Sequence, residues 1–211
     1  MISPQVEKYL ESLIPKRSEL LMEIEAYAHV HNIPIMELVG IEAFIHILKI
    51  HQPKRILEIG TAIGYSALRF AEALPEATIV TIERDATRLD KACEFIERSG
   101  YKSRIKVIAG DALDVVSDIE QMDAFDALFI DAAKGQYQRF FALYEPMVTN
   151  GGMIISDNVL FRGLVAEESQ ETRLKGIARK LSRYNEWLMQ QNQYETAILP
   201  VGDGVALSIK K

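Results

Sequence analysis

The chain of 211 residues is long enough to bury a sizeable core, and its 48% hydrophobic and 26% charged residues exclude wholesale disorder, collagen-like repeats and a membrane-embedded protein. A net charge of −6 and an isoelectric point near 5.3 exclude a surface coated in basic residues for bulk nucleic-acid binding, but not a local basic patch. The single cysteine, Cys93, forbids an intrachain disulfide and fits a reducing compartment. No stretch approaches the roughly 18 apolar residues of a membrane span. The start, MISPQVEKYLESLIPKRSEL, lacks the apolar core of a secretion signal, so a cytoplasmic location and no membrane partner are expected.

From Pro4 to about His51 the apolar residues recur with helical spacing: Tyr9, Leu10, Leu13 and Ile14, then Leu20, Leu21, Ile24 and Ala28. Pro15 and Pro34 punctuate this region, and the third helix, Met36 to Ile50, is apolar around much of its circumference. That excess of apolar surface predicts a homodimer built largely from the N-terminal helices. From Arg55 the rhythm changes to short apolar runs at 56–59, 78–82, 105–108, 127–130 and 153–155. Helical stretches at Ser66–Leu74, Ala86–Ser99, Ala112–Ile119 and Tyr137–Met147 alternate with them. This alternation predicts an α/β fold with right-handed crossovers and a mostly parallel sheet covered on both faces. A long helix over about Glu167–Gln190 precedes runs at 196–199 and 205–209, which read as an antiparallel hairpin added to the sheet, for seven strands in all. No linker or repeat interrupts the pattern. One domain over 1–211 is expected, with helices over 1–51 and an α/β core over 52–211.

Three groups of residues carry chemistry. The run Leu57-Glu58-Ile59-Gly60-Thr61-Ala62-Ile63-Gly64-Tyr65-Ser66 passes from a strand through two glycines into a helix, at the strand end where open parallel sheets bind ligands. Its G-x-x-x-G spacing lacks the dinucleotide fingerprint, which disfavours an NAD-binding oxidoreductase, although a tight turn in any α/β protein has the same pattern. Glu83 closes the next strand about 20 residues on, the distance at which an acid reaches both hydroxyls of a ribose. Gly110-Asp111-Ala112 follows the third strand and is suited to framing an adenine edge.

The third group is Asp131, with Lys134 three residues beyond it, and Asp157-Asn158 at the end of the next strand. Two carboxylates and an amide carbonyl are hard oxygen ligands suited to a magnesium-type ion, and Lys134 beside a cation gives up a proton more readily and can act as a base. Helix N-capping is the competing use of each Asp. A non-enzymatic RNA-binding module would have no need of this set.

With these residues in place, the chain resembles the class I S-adenosylmethionine-dependent O-methyltransferases, in the divalent-cation-dependent branch that includes catechol and caffeoyl-CoA O-methyltransferases. The resemblance runs from about Met36 to the C-terminus on LEIGTAIGYS, TIERD, GDA, FIDAAKGQY and ISDNVLFRG. It implies a Rossmann-like methyltransferase fold. It also implies S-adenosyl-L-methionine bound by Gly60, Ser66, Glu83, Asp111, Ala112 and Asp131, with Mg2+ or another divalent cation on Asp131, Asp157 and Asn158, and Lys134, with Asp131, as the catalytic residues. The blocks AYAHVHNIPIME, IDAAKGQYQRFF, DNVLFRGLVAEE and PVGDGVALS are similar to the bacterial tRNA 5-hydroxyuridine methyltransferases. That likeness implies tRNA, at its anticodon wobble position, as partner, 5-methoxyuridine as product, and a cofactor contact from Met36. The catechol enzymes hold the second hydroxyl with a late acidic residue. Here that region reads Val201-Gly202-Asp203-Gly204, a departure from the diol-binding pattern.

Helical spacing over 173–188 places Leu174, Ile177, Ala178, Leu181 and Leu188 on one side, and Arg173, Lys175, Arg179, Lys180 and Arg183 on the other. The cationic side could track a phosphate backbone, with Lys16-Arg17, Lys54-Arg55 and Arg162 extending it, or could simply be solvated. A small catechol or phenol is the alternative acceptor. His29, His31, His46 and His51 read as ordinary helix residues. Cys93, Tyr184 and Trp187 read as packing residues.

Overall fold

The computed structural model describes residues 3–166 and 173–211, the side chain of Arg173 excepted. The chain divides into two compact units, 2–115 and 116–211.

The first unit opens with α1 (Pro4–Leu13), capped by the Ser3 hydroxyl, and α2 (Glu19–His31), capped by the Ser18 hydroxyl. Both caps accept an N–H three residues ahead, and proline at the first turn of α1 gives up no helical hydrogen bond. The third helix, α3 (Leu38–His51), starts two residues later than its periodicity suggests, leaving Met36 buried in the approach to it. Then follow β1 (Arg55–Ile59), α4 (Tyr65–Ala73), β2 (Thr78–Glu83), α5 (Ala86–Arg98) and β3 (Ile105–Ala109). The three strands pair in parallel, Ile59 opposite Ile82 and Glu83 opposite Ala109, so their C-terminal ends share one edge. The burial of Ile56, Leu57, Ile59, Ile79 and Ile82 explains the near-continuous apolar runs.

A polar network binds the helical extension to α4. Arg17 grips Glu25 with two bonds of 2.9 and 2.6 Å, and the Tyr65 hydroxyl donates to the same carboxylate at 2.7 Å. Arg69 donates to the Tyr65 oxygen at 3.1 Å and to Glu42 at 2.5 Å. Burial opposes ionisation of Glu25, but the bonds from Arg17 and Tyr65 outweigh it and hold the carboxyl below its usual range. By contrast, α1 buries no residue, and Val6, Tyr9 and Leu13 stand exposed along one side of it.

The second unit contains α6 (Val116–Glu120), β4 (Phe125–Ile130), α7 (Tyr137–Tyr144), β5 (Val148–Ser156), α8 (Arg173–Met189), β6 (Tyr194–Leu199) and β7 (Val205–Lys210). β4 pairs in parallel with β5, Ile130 opposite Ser156. β7 runs antiparallel to both β5 and β6, which is the expected hairpin. The strand order is β3-β2-β1-β4-β5-β7-β6, the expected seven-stranded, mostly parallel sheet with an antiparallel C-terminal end.

Three local expectations are corrected. The helix expected over Ala112–Ile119 begins only at Val116, because the Asp111 carboxylate accepts the Leu113 N–H at 2.9 Å and sets a turn there instead. Of the helix expected over Glu167–Gln190, residues 167–172 lie outside the described residues, and the rest is α8. Within α8, Ala178, Leu181, Tyr184 and Leu188 are buried, but Leu174 is 54% exposed, since the inward face begins a turn later. Cys93 is not packed; it lies exposed on α5, whose buried residues are Ala92, Phe95 and Ile96. Tyr184 packs as expected, stacking on Trp187 with ring centres 5.9 Å apart.

Candidate active site

In the first unit, the strand ends gather the residues expected to hold a cofactor. Gly60 has φ 106°, a conformation glycine adopts without steric cost, and Ala62 also lies in the left-handed region. The loop is anchored by Gly60 and Thr61 N–H groups donating to the Ile82 carbonyl at 3.0 and 3.1 Å. Glu83 is buried, yet its carboxylate is well satisfied. Oε2 accepts the Ala62 N–H at 2.8 Å, and Oε1 accepts those of Arg84 at 3.0 Å and Asp85 at 2.9 Å. An ionised carboxylate has about four acceptor positions, so at least one remains for a hydroxyl donor, which fits a ribose.

Ser66, expected to bind the cofactor, has its hydroxyl engaged within the protein. Its hydroxyl donates to Glu58, a carboxylate with no exposed surface that also accepts the Thr81 hydroxyl at 2.5 Å. Ser66 can also offer a ligand its backbone N–H, in the first turn of α4 where helical amides lack an internal partner. Asp111 turns its carboxylate to its own loop and to the Arg84 guanidinium at 3.0 Å, while Ala112 is buried behind it.

In the second unit, the parallel register of β4 and β5 brings the expected chemical set together. The Asp157 N–H donates to the Ile130 carbonyl at 3.0 Å, which places it beside the residue preceding Asp131. The Lys134 ammonium lies 3.9 Å from Asp131 Oδ1 and donates to Asn158 Oδ1 at 2.5 Å. Asn158 in turn donates through Nδ2 to Asp157 Oδ2 at 3.1 Å, an assignment that turns its carbonyl toward the lysine.

Burial and the nearby charge of Asp131 push the Asp157 carboxyl up to about 8, and burial likewise raises Asp131 despite Lys134. The Tyr137 hydroxyl donates to the Asp157 carbonyl at 3.0 Å, and burial together with both aspartates drives this phenol well above its ordinary range. Two carboxylates forced toward neutrality, with one lysine between them and an amide oxygen, form a place deficient in positive charge. The oxygen donors fit a hard divalent cation. Among the described residues no group of three or more His, Cys, Asp or Glu is arranged to hold a metal, so this set of two acids and an amide has no histidine-rich rival.

Sequence reasoning missed three residues. Glu58 was signalled by a carboxylate inside an otherwise apolar strand, which is rarely buried without partners. Tyr137 carried no signal beyond its helical position. Asp203 was noted only as a departure, and the structure shows its Oδ1 accepting the Arg162 N–H.

Comparison with known proteins places the chain in a family. The O-methyltransferase family matches residues 11–211. A caffeoyl-CoA O-methyltransferase of Stellaria longipes is 31% identical over 96% of this chain and 89% of its own. A catechol O-methyltransferase of Niastella koreensis is 35% identical over 76% and 75%. Among solved structures, a Staphylococcus aureus chain provisionally assigned as a caffeoyl-CoA O-methyltransferase superposes with a TM-score of 0.92. It shares 32% identity and covers 98% of this chain and 100% of its own. A Bacillus cereus O-methyltransferase bound to S-adenosylhomocysteine superposes with a TM-score of 0.86 at 26% identity, covering 98% and 97%. The chain therefore belongs to the O-methyltransferase family, the class I S-adenosylmethionine-dependent enzymes.

Proposed function

We propose that this methyltransferase converts wobble 5-hydroxyuridine in tRNA to 5-methoxyuridine, with residues 1–211 working as one cytoplasmic methyltransferase domain. The observation that carries the substrate is the course of α8. Lys175, Arg179, Lys180 and Arg183 form no ion pair among the described residues, in a chain of net charge −6. The Lys180 ammonium lies over Gly135, 3.2 Å from where a Cβ on that glycine would stand, so the basic helix reaches the loop that carries Lys134. A polyanion tracking α8 would present its base beside that lysine.

S-adenosyl-L-methionine supplies the methyl group, and Gly60, Ser66, Glu83, Asp111, Ala112, Met36 and Asp131 are the residues assigned to it. Asp131, Asp157 and Asn158 would hold Mg2+ or another divalent cation, which when bound lowers the pKa of an acceptor hydroxyl. Lys134, held by Asn158 and near Asp131, takes or shuttles the hydroxyl proton. Glu83, held by three backbone N–H groups with an acceptor position to spare, orients the cofactor ribose, and in-line transfer then needs the methyl carbon about 3 Å from the acceptor oxygen. The exposed apolar side of α1, with Val30 and Ile50 at 71% and 85% exposure, supports a homodimer through the N-terminal helices.

The caffeoyl-CoA and catechol enzymes among the relatives favour a second reading, the same chemistry on a small phenolic acceptor. Mass spectrometry of wobble nucleosides from a deletion strain separates the two. Loss of 5-methoxyuridine with accumulation of 5-hydroxyuridine is expected, and unchanged nucleosides would leave the phenolic reading. Labelled cofactor offered with hydroxyuridine-containing tRNA or a catechol gives the same decision in vitro.

A further inference from the structure

The segment after β5 is strained in a way that the roles assigned so far do not explain. Six non-glycine residues among those described have positive φ. Asn32 and Gln52 end helices, Ala62 lies in the glycine loop, and the other three, Asn158, Phe161 and Arg162, fall within five residues of one another. Such conformations persist only where the surroundings hold them, and they concentrate at functional sites.

The turn Val201–Gly204 supplies that hold. The Val159 N–H donates to the Gly204 carbonyl at 2.9 Å and the Leu160 N–H to the Asp203 carbonyl at 3.0 Å. The Asp203 carboxylate accepts the N–H of Arg162. From the other side, Asn185 of α8 donates to the Val159 carbonyl at 2.9 Å. Gly204, with φ 88°, permits the approach, because a Cβ there would stand 2.3 Å from Leu160 Cγ and 2.8 Å from its nitrogen. The only side chain that the 201–204 turn contributes to these bonds is Asp203, and it bonds the residue deepest in the left-handed stretch.

We infer that Asp203 is a positioning residue: its carboxylate clasps the left-handed turn at Arg162 and thereby holds Asn158 Oδ1 against the Lys134 ammonium. Release of the Arg162 N–H lets Phe161 and Arg162 relax toward ordinary φ, and Asn158, three residues back in the same turn and bonded through its carbonyl to the Phe161 N–H at 3.2 Å, turns with them. The inference rests on the reading of Lys134 and Asn158 as chemical residues. It assigns Asp203 a backbone partner in place of a substrate hydroxyl.

The test compares Asp203→Ala with Asp203→Asn, which keeps an acceptor oxygen but no charge. In the ligand-free protein, Asp203→Ala should speed hydrogen exchange at the Arg162 amide by about tenfold or more, and Asp203→Asn should restore most of the protection. In Asp203→Ala, kcat and the affinity for Mg2+ measured by calorimetry should each fall about 10–100-fold, as for residues that orient ligands from behind, and Asp203→Asn should recover most of both. The KM for S-adenosylmethionine should stay within about twofold, because Glu83 and its loop are untouched. Unchanged Arg162 exchange in Asp203→Ala overturns the inference, as does faster exchange with kcat and Mg2+ affinity intact. An Asp203→Asn enzyme with protection restored but activity still lost overturns it too, and gives the carboxylate a direct substrate role. Indifference of wild-type transfer to Lys134→Met would instead sink the catalytic reading, while the Arg162 exchange would still report whether Asp203 holds the turn.

Discussion

Replacing Asp157 by asparagine should abolish methyl transfer and, in the metal-free protein at neutral pH and above, raise stability. The carboxyl is 3% exposed, and burial with the neighbouring Asp131 moves it from the ordinary 3.8 up to about 8. Its folded pKa lies above its unfolded one, so the folded chain binds this proton more tightly. The cost is absent below pH 3.8, grows as pH rises, and is complete above about 8. At neutral pH, some three units above the ordinary value, the cost comes to about 4 kcal/mol at roughly 1.4 kcal/mol per unit. Asparagine removes it but brings an NH2 group whose donors lack an evident partner, at about 1–3 kcal/mol.

A net gain of about 2 kcal/mol remains, or roughly 4–8 °C in Tm for a chain of this size. At acid pH the sign reverses, because wild type recovers the cost while the asparagine penalty persists, with the curves crossing at about pH 5–6. Thermal unfolding in chelator from about pH 5 to about pH 8 measures this directly. Added Mg2+ should then raise the wild-type Tm and leave the variant unmoved, since only wild type gains a ligand that repairs its charge. Parallel wild-type and variant curves across the whole range would refute the reasoning, because Asp157 would then not be the costly charge.

Glu83→Ala should weaken S-adenosylhomocysteine binding in calorimetry by about tenfold or more, at roughly 1.5–3 kcal/mol per charge-assisted bond lost; unchanged affinity sinks the ribose assignment. Joint reversal of Arg179, Lys180 and Arg183 to Glu should weaken tRNA binding and flatten its salt dependence by about 0.7–0.9 in slope per lost phosphate contact. Methylation of the free hydroxyuridine nucleoside should barely change in that triple variant; loss of nucleoside turnover with tRNA turnover intact would mark α8 as a support of a small-molecule pocket. Light scattering should report a dimer, and a species at the 23.8 kDa of one chain would refute an interface on the N-terminal helices.

The strand ends were legible in the sequence because an apolar run that stops at an acid is a strong signal of a parallel strand meeting solvent or ligand. Glu83, Asp131 and Asp157 all stand where such runs stop, and the register of β4 with β5 brings the last two close. Periodicity reports which face is buried, and it says nothing of which polar group a buried polar group meets. The bond from the Ser66 hydroxyl to Glu58, hidden within β1, was therefore not legible. The Ala112–Ile119 helix failed for a related reason: a single Asp111 oxygen bonded to the Leu113 N–H outcompeted helical propensity for a whole turn. The clasp between Asp203 and Arg162 joins positions 41 residues apart, and no local pattern encodes it.

The two units differ in how their buried charges are met, and the difference suits the roles proposed for them. Glu83 is surrounded by three N–H donors and Glu58 by two hydroxyls, so these two carboxylates are well met before any ligand arrives. Such a place is rigid and suits neutral hydroxyls, which ask only for fixed acceptors. At Asp131 and Asp157 burial outweighs what their neighbours supply, Asn158 and Lys134 included, and both carboxyls are driven upward. A charge left poorly met inside a folded protein persists only where binding repairs it or catalysis uses it, and Lys134, within 3.9 Å of one and joined through Asn158 to the other, already leans toward that repair. The strained turn beyond Asn158 belongs to the same half. On the proposed function, the costly charges and the strained turn stand together where a cation and a reacting oxygen would be received.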